Sequence, residues 1–358
     1  QGNMPIHAFR LEVETNARKS WVLHISPSTK KVIKALPQFF TLSTPSSGRD
    51  LLGNTISFSS TATGNLYRMK DSSFPNNVYA IVNDISETNC DADGVGGEHA
   101  PKAVTSSNPN SGWEQAAVSA IANVKKTHDY YLSVHGRNSY DNQGAKLISE
   151  VNYPCNDYAD NAWWWRNTMG YGIGRVNNNW AISLDVAGHE MTHGVIQHSS
   201  NLEYQDESGA LNESFADIFG VMIERENWII GERLNNDGTY FRSLANPKLK
   251  NDPGHMTDFL YTENDYGGVH TNSGISNRAF YLLAQGLTDE GLGTSIGLVK
   301  AEKLAYQTMI GLTQFSEFYD AAILMQSKAS ALYGMDSAEF TAVTKAWEQV
   351  GVLVEESV

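Results

Sequence analysis

Cysteine is nearly missing, with only Cys90 and Cys155 in 358 residues. Two are too few for a disulfide-stapled scaffold, but they suit one bridge in an exported protein; two free thiols are the alternative. Cys90 lies in "ETNCDADGVGG" and Cys155 in "NYPCNDYAD", polar stretches that do not read as core. Positive charge is also scarce: 26 Lys and Arg stand against 40 Asp and Glu, for a formal net charge of -14. Binding a phosphate backbone needs clustered cations that displace counterions, so nucleic acid is not expected as a partner. No apolar run approaches the length needed to cross a bilayer, so no membrane association is expected and the chain reads as soluble. No internal repeat is found, and no secretory segment opens the chain, where Gln1 in place of Met suggests processing or trimming.

What is present is a mixed, globular composition, 41% apolar and 18% charged. The length suggests two domains. "HAFRLEVET" and "SWVLHIS" alternate with period two about the polar "NARK", which predicts a β-hairpin within residues 1 to about 40. "TLSTPSSGRD" then reads as a linker. From Asn54 short β-type runs such as "TISFSS" and "NVYAIV" follow, with a long Gly/Asn/Ser-rich loop from Ser86 to Ser111. A helix is predicted from Trp113 to His135, a strand at "KLISEVNY", and helices from Val186 to Gln197 and from Gly209 to Glu226. From Ser276 onward the chain reads as mostly helical. The fold class expected is therefore α+β, with β-rich structure first and helices second.

The chemistry centres on "GHEMTHGV". On a helix His189 and His193, four residues apart, share one face and can grip one zinc ion at roughly 2.0–2.1 Å. Glu190 lies to the side, where its carboxylate could reach a metal-bound water as general base. A surface pair of histidines is the bland alternative. A catalytic zinc needs a third protein ligand, and "NESFAD" offers Glu213 and Asp217 on one face of the next predicted helix. The natural division gives Glu213 to the metal and Asp217 to the far N–H of a ligand histidine. A solvated acidic face is the alternative, but carboxylates inside the otherwise apolar "LNESFADIFGVMI" need a reason to be there. In "NDYGGVHTNSG", Asp265 could hold His270 protonated to stabilise an oxyanion, and Tyr204 in "LEYQDESG" could donate a second hydrogen bond. On spacing alone, a surface histidine in a glycine-bearing loop explains His270 as well.

Three segments, "DVAGHEMTHGV", "YQDESGALNESFADIFG" and "YGGVHTNSGISNRAFYLL", closely resemble the thermolysin family of zinc endopeptidases, in the family's order and near its spacings. The likeness runs more loosely from about Gly48 to the C-terminus. It implies a two-lobed fold with the zinc helix between the lobes: residues 1–46 an N-terminal extension and linker, 47–201 the β-rich lobe, 202–358 the helical lobe. It implies zinc on His189, His193 and Glu213, Glu190 activating the water, Asp217 orienting His189, and Tyr204 with His270 stabilising the tetrahedral intermediate, Asp265 supporting His270. Asn161 and Ala162 of "NAWWW" would bind the substrate backbone on an edge strand, where a packed aromatic strand is the alternative. Trp165 departs from the usual small polar residue, which would make the unprimed subsites more aromatic. Arg242 matches the arginine that contacts the substrate carbonyl beyond the cut bond. Val186 and Phe241 would wall a pocket for a bulky apolar residue after that bond.

Family calcium ligands match at Asp185 and Glu224, with Glu232 as a third, while Asn227 and Ile229 stand where acids are often found. Calcium takes six to eight oxygens, so one site at most is expected. Residues 1 to about 40 look like the last strands of the family's propeptide domain, so the protein's own propeptide is an expected partner beside peptide and protein substrates. The expectation is thus a secreted, monomeric zinc endopeptidase. The rival is a latent or non-catalytic zinc-binding adhesion protein, which would lack the base or an oxyanion donor; neither is lost. An aminopeptidase would want an acidic group near the zinc helix to read the substrate's free amine, and no such signature is present.

Overall fold

The computed structural model describes residues 9–16, 19–26, 29–39, 43–90, 101–286 and 295–353. Three antiparallel strands open the chain: β1 (Phe9–Asn16), β2 (Lys19–Ile25) and β3 (Val32–Phe39), forming a sheet of their own. The expected hairpin is therefore a three-strand meander, while the middle of its "NARK" turn lies outside the described residues.

The stretch read as a linker is instead mostly strand. β4 (Ser43–Arg49) pairs residue for residue with β5 (Thr55–Thr63), continued by β6 (Leu66–Arg68). Its Ser, Pro and Gly content misled because this is an edge strand, where proline costs no ladder bond. Serine also serves its buried face, where the Ser46 and Ser60 hydroxyls bond each other at 2.7 Å.

A third sheet contains β7 (Lys70–Asp71), β8 (Ala80–Asp84), β9 (Lys102–Ala103), β11 (Leu147–Tyr153), β12 (Ala162–Trp165) and β13 (Thr168–Gly172), while β10 (Thr105–Ser106) joins β6 in the sheet of β4 and β5. The loop expected from Ser86 to Ser111 is described only at its ends. Between β10 and β11 runs α1 (Gln115–His135), capped by the Glu114 carboxylate on the Ala117 amide and ended by Gly136 in the left-handed region. β12 is the sheet's edge. It turns into β13 through Arg166 and Asn167, both at positive φ, a two-residue hairpin turn that suits the twist of the strands.

Cys90 and Cys155 are bridged, with Cα atoms 5.4 Å apart. Contrary to the sequence expectation Cys155 is core: it is fully buried with Ile85 and Tyr153, against Trp163. Its polar neighbours hide this, since the cover comes from Ile85 and from Trp163 of the aromatic strand β12.

The helical half holds α2 (Leu184–Gln197), α3 (Asp206–Glu224), the short strands β14 (Ile229–Ile230) and β15 (Arg242–Ser243), then α4 (Asp265–Gln285), α5 (Leu298–Met309), α6 (Phe318–Tyr333) and α7 (Ala338–Gln349). Thus the β-rich first half and helical second half stand as expected. One continuous core spans both. At its centre Tyr131 of α1 bonds Thr192 of α2 at 2.6 Å, and its ring meets Phe219 of α3 and Tyr306 of α5.

α2 and α3 cross at Gly188 and Gly220. A Cβ on Gly188 would lie 3.2 Å from the Gly220 Cα, and one on Gly220 would lie 2.7 Å from the Asp185 carbonyl oxygen. Two missing side chains let the backbones approach, and Glu213, two turns before Gly220, comes level with the α2 histidines. Gly220→Ala is expected to force the helices apart and cost about 1–3 kcal/mol, read as a lower melting temperature; an unchanged value would show that the crossing has slack.

Candidate metal centre and active-site cleft

His189 Nε2, His193 Nε2 and the Glu213 carboxylate come together, each ligand-type atom within 4.8 Å of the others. The two histidines stand one turn apart on α2, as their spacing predicts. Their outer nitrogens are both taken: His189 Nδ1 is 2.9 Å from Asp217 Oδ1, and His193 Nδ1 is 2.8 Å from Asn212 Oδ1. An ionised carboxylate and an amide oxygen can only accept, so both Nδ1 atoms must donate. Both Nε2 lone pairs then face each other across 2.9 Å. Glu213 Oε1 and Oε2 lie 3.4 Å from His193 and His189, and Oε2 is buried without a hydrogen bond. Converging lone pairs beside an orphaned carboxylate oxygen need a positive charge between them. The donor set, two imidazoles and a carboxylate with room for more, fits zinc.

Without a metal, a proton has to play that part. Burial disfavours charge on both rings, but Glu213 and Asp217 outweigh it at His189 and push its pKa up to about 10. Burial holds His193 down to about 4. Burial also disfavours the Glu213 charge, yet the three surrounding imidazoles, His270 first, keep it well below the usual carboxylate range.

Asp217 is the most heavily used side chain here. It is fully buried and accepts from His189, from Arg242 Nε at 2.7 Å and Nη2 at 2.6 Å, and from Asn277 Nδ2 at 2.9 Å. Burial resists its charge, but Arg242 and His189 overcome this and keep it ionised. The arginine, expected at the substrate carbonyl, is thus forked onto Asp217, which leaves Nη1 as the guanidinium nitrogen not engaged there.

Glu190 is buried beside His189, and burial pushes its carboxyl up to about 7. Tyr204, in the loop between α2 and α3, donates from its hydroxyl to Glu213 Oε1 at 2.5 Å and lies 3.3 Å from His270 Nε2. His270 is not in a loop but in α4, whose regular turn starts at Val269 after left-handed residues. Its Nδ1 sits 2.7 Å from Asp265 Oδ1, and Glu213 in front, with Asp265 behind, raises its pKa despite burial.

Ala162 and Asn161 lie at the start of edge strand β12. The Asn161 carbonyl accepts from Gly172 and its side-chain oxygen from the Ala162 amide, so the Asn161 backbone oxygen is already used by the sheet. Because Trp165 and Thr168 close the hairpin, alternation turns the backbone groups of Trp163 and Trp165 toward β13 and those of Ala162 and Trp164 outward. Trp164 is pinned to α2 by a 2.7 Å bond to Gln197. Val186 is buried in α2, and Phe241 stacks on Trp180 at 5.3 Å.

Asp185, Glu224 and Glu232 form a second cluster of carboxylates. Burial, then Asp185 and Glu232, push Glu224 up to about 8. Glu232 Oε2 is buried without a partner, while Asn227 donates to Oε1 at 2.5 Å and Arg233 Nε to Glu224 at 3.3 Å.

The sequence reading missed Asn212 and Asn277. Asn212 had a signal: each ligand histidine needs an acceptor behind it, and Asn212 directly precedes Glu213 in the motif. Asn277, a donor to Asp217 from α4, had none in its own segment.

A helix-borne His-Glu-x-x-His with a glutamate from the next helix, below a sheet edge, defines a metallopeptidase class. The chain belongs to the thermolysin family: residues 45–197 match its "Thermolysin metallopeptidase, catalytic domain" and residues 200–352 its "Thermolysin metallopeptidase, alpha-helical domain". It is 35% identical over 357 residues to the extracellular elastase of Staphylococcus epidermidis, covering 97% of this chain and 66% of that protein. It is 37% identical to the bacillolysin of Brevibacillus brevis over 85% of this chain and 57% of the relative. For the neutral protease NprE of Bacillus pumilus the figures are 37%, 86% and 98%. The solved precursor of protealysin, a metalloproteinase from Serratia proteamaculans, is similar with a TM-score of 0.64 and 31% identity, over 79% of this chain and 90% of that one. The chain thus spans just under two thirds of the first of these relatives.

Asn212→Ala is expected to lower zinc affinity by roughly 10–100-fold, measured by competition with a chromogenic chelator. Unchanged affinity would mean that His193 needs no acceptor behind it.

Proposed function

We propose that this protein is a secreted zinc endopeptidase that cuts internal peptide bonds before bulky apolar residues. The observation that carries the reading is the facing pair of Nε2 lone pairs on His189 and His193, with the orphaned Glu213 oxygen beside them and Glu190 adjacent. His189, His193 and Glu213 would hold the zinc. Bound there, zinc supplies a Lewis acid that activates water and substrate carbonyl alike.

The protein's own groups do the rest. Glu190 takes a proton from the attacking water and passes it to the leaving amine; a carboxyl near pH 7 suits both directions of that transfer. Tyr204 Oη and His270 Nε2 donate to the developing oxyanion, and Asp265 keeps His270 protonated. Asp217 fixes the His189 tautomer. A substrate chain would add to the edge of β12, taking its backbone bonds from Ala162 and Trp164. Arg242 Nη1 reaches the carbonyl beyond the cut bond. Val186 and Phe241 wall the apolar pocket there, and Trp165, 63% exposed, offers an aromatic surface to unprimed residues.

Export is supported by the bridge between Cys90 and Cys155 and by the extracellular naming of a relative. A monomer is the working state. Residues 1 to about 40, ahead of β4, are read as propeptide-like, and such a segment makes latency the second reading. Asp185, Glu224 and Glu232 would bind one calcium, because Arg233 and Asn227 already occupy carboxylate oxygens that a second ion would need.

Denatured casein should be cleaved by the intact chain, blocked by a zinc chelator and restored by stoichiometric zinc. Absence of cleavage with one zinc bound would replace this reading by latency. Glu190→Gln should keep zinc yet lose at least roughly a hundredfold in kcat, in the range for a lost general base; substantial residual turnover would remove Glu190 from that role. Calcium should raise the melting temperature with the concentration dependence of one site, and a two-ion dependence would refute the single site.

A further inference from the structure

Tyr266 stands in a conformation that its residue type disfavours, and the fold gives it no burial in return. Its φ and ψ are 52° and 39°, left-handed values that a bulky side chain rarely adopts, yet the residue is 61% exposed. It belongs to a run of four left-handed residues, Asp265, Tyr266, Gly267 and Gly268. The run is set by its neighbour: a Cβ on Gly267 would come 2.1 Å from Asp206 Oδ1 and 3.0 Å from the Asp206 backbone, so the loop is pressed against the start of α3, two residues after Tyr204. Strain kept at an exposed position points to use rather than to packing.

What the conformation achieves is a ring contact. Tyr266 meets the Tyr204 ring edge-on, centroids 5.5 Å apart at 68°. Tyr204 belongs to no helix or strand and is itself exposed, with His193 and His270 as its other ring neighbours at 6.2 and 6.3 Å. Without Tyr266 its outer side would be open to solvent.

Resting on the function proposed above, we infer that Tyr266 is a positioning residue for Tyr204, so that the left-handed run braces both oxyanion donors. Asp265 holds His270 through its carboxylate, and Tyr266 holds Tyr204 through its ring. The aromatic contact narrows the swing of the phenol as its hydroxyl leaves Glu213 for the substrate oxygen. A donor that is already aimed contributes more in the transition state than one that must be ordered there. The effect therefore falls on kcat.

The test compares Tyr266→Asn and Tyr266→Phe in the full, zinc-loaded chain, with a short blocked peptide amide as substrate. Asparagine accepts left-handed geometry, so Y266N should melt no lower than the parent. Its kcat should fall roughly tenfold with KM unchanged, and Y266F should recover parental kcat to within about twofold. In a Tyr204→Phe background, Y266N should cost nothing more, since the residue it serves is already lost. The proposal is overturned by parental kcat in Y266N, by a change in KM alone, by a Y266F loss equal to that of Y266N, by a lower melting temperature that accounts for the loss, or by full additivity with Tyr204→Phe. An inactive parent would instead refute the endopeptidase reading, before any variant is compared.

Discussion

Everything at the site hangs from one buried carboxylate. Asp217 on α3 accepts from His189 on α2, from Arg242 on β15 and from Asn277 on α4, so four elements are tied through two oxygen atoms. A carboxylate so deeply buried is costly unless it is paired and fully hydrogen-bonded. Here each oxygen takes two donors, and the guanidinium fork supplies the opposing charge. The same arrangement fixes the His189 ring, because its Nδ1 proton has one place to go. Orientation of the metal-facing nitrogen is thus a consequence of how a buried charge is satisfied.

That hub works only because α2 and α3 lie unusually close. Gly188 and Gly220 remove the side chains that would hold them apart, and the gain is geometric: Glu213 comes within 3.4 Å of both imidazoles. From α2 the order spreads outward. Tyr131 ties the helix to α1 through Thr192, and Trp164 ties the edge strand to it through Gln197. The floor of the cleft and its upper rim are therefore fixed to the same 14-residue helix, and a chain added to the strand would be held in a set position over the histidines. The carboxylate cluster shares this helix with the metal-ligand histidines, since Asp185 lies in its first turn. Cation binding there would steady the N-terminal end of the element that carries His189.

The places where sequence and structure part have a common cause. "TLSTPSSGRD" has the composition of a linker, but an edge strand tolerates proline, and a serine can satisfy a buried face by bonding another serine. Cys155 looks exposed among Asn, Asp and Pro, yet part of its cover comes from Ile85, seventy residues earlier, and the rest from Trp163 on the edge strand that follows. Arg242 could be placed near the pocket by its motif, while its fork onto Asp217 depends on a carboxylate 25 residues earlier. Composition and local period describe what a segment can do alone; they are silent on what another segment brings to it.

The sequence by itself determined the helix pairs at i and i+4, the order of β-rich and helical halves, and the residue types of the metal centre, because each follows from a short-range period or a spacing within one element. It also carried the resemblance that placed His270 and Tyr204 in roles. Tertiary structure alone decided that two Nε2 lone pairs face each other over an orphaned carboxylate oxygen, that Asn212 and Asn277 complete the bonding behind them, and that a left-handed run lays Tyr266 on Tyr204. Those facts depend on how closely separate elements approach and on which buried polar atoms remain to be satisfied. Both are properties of the packed chain, set where segments distant in sequence meet.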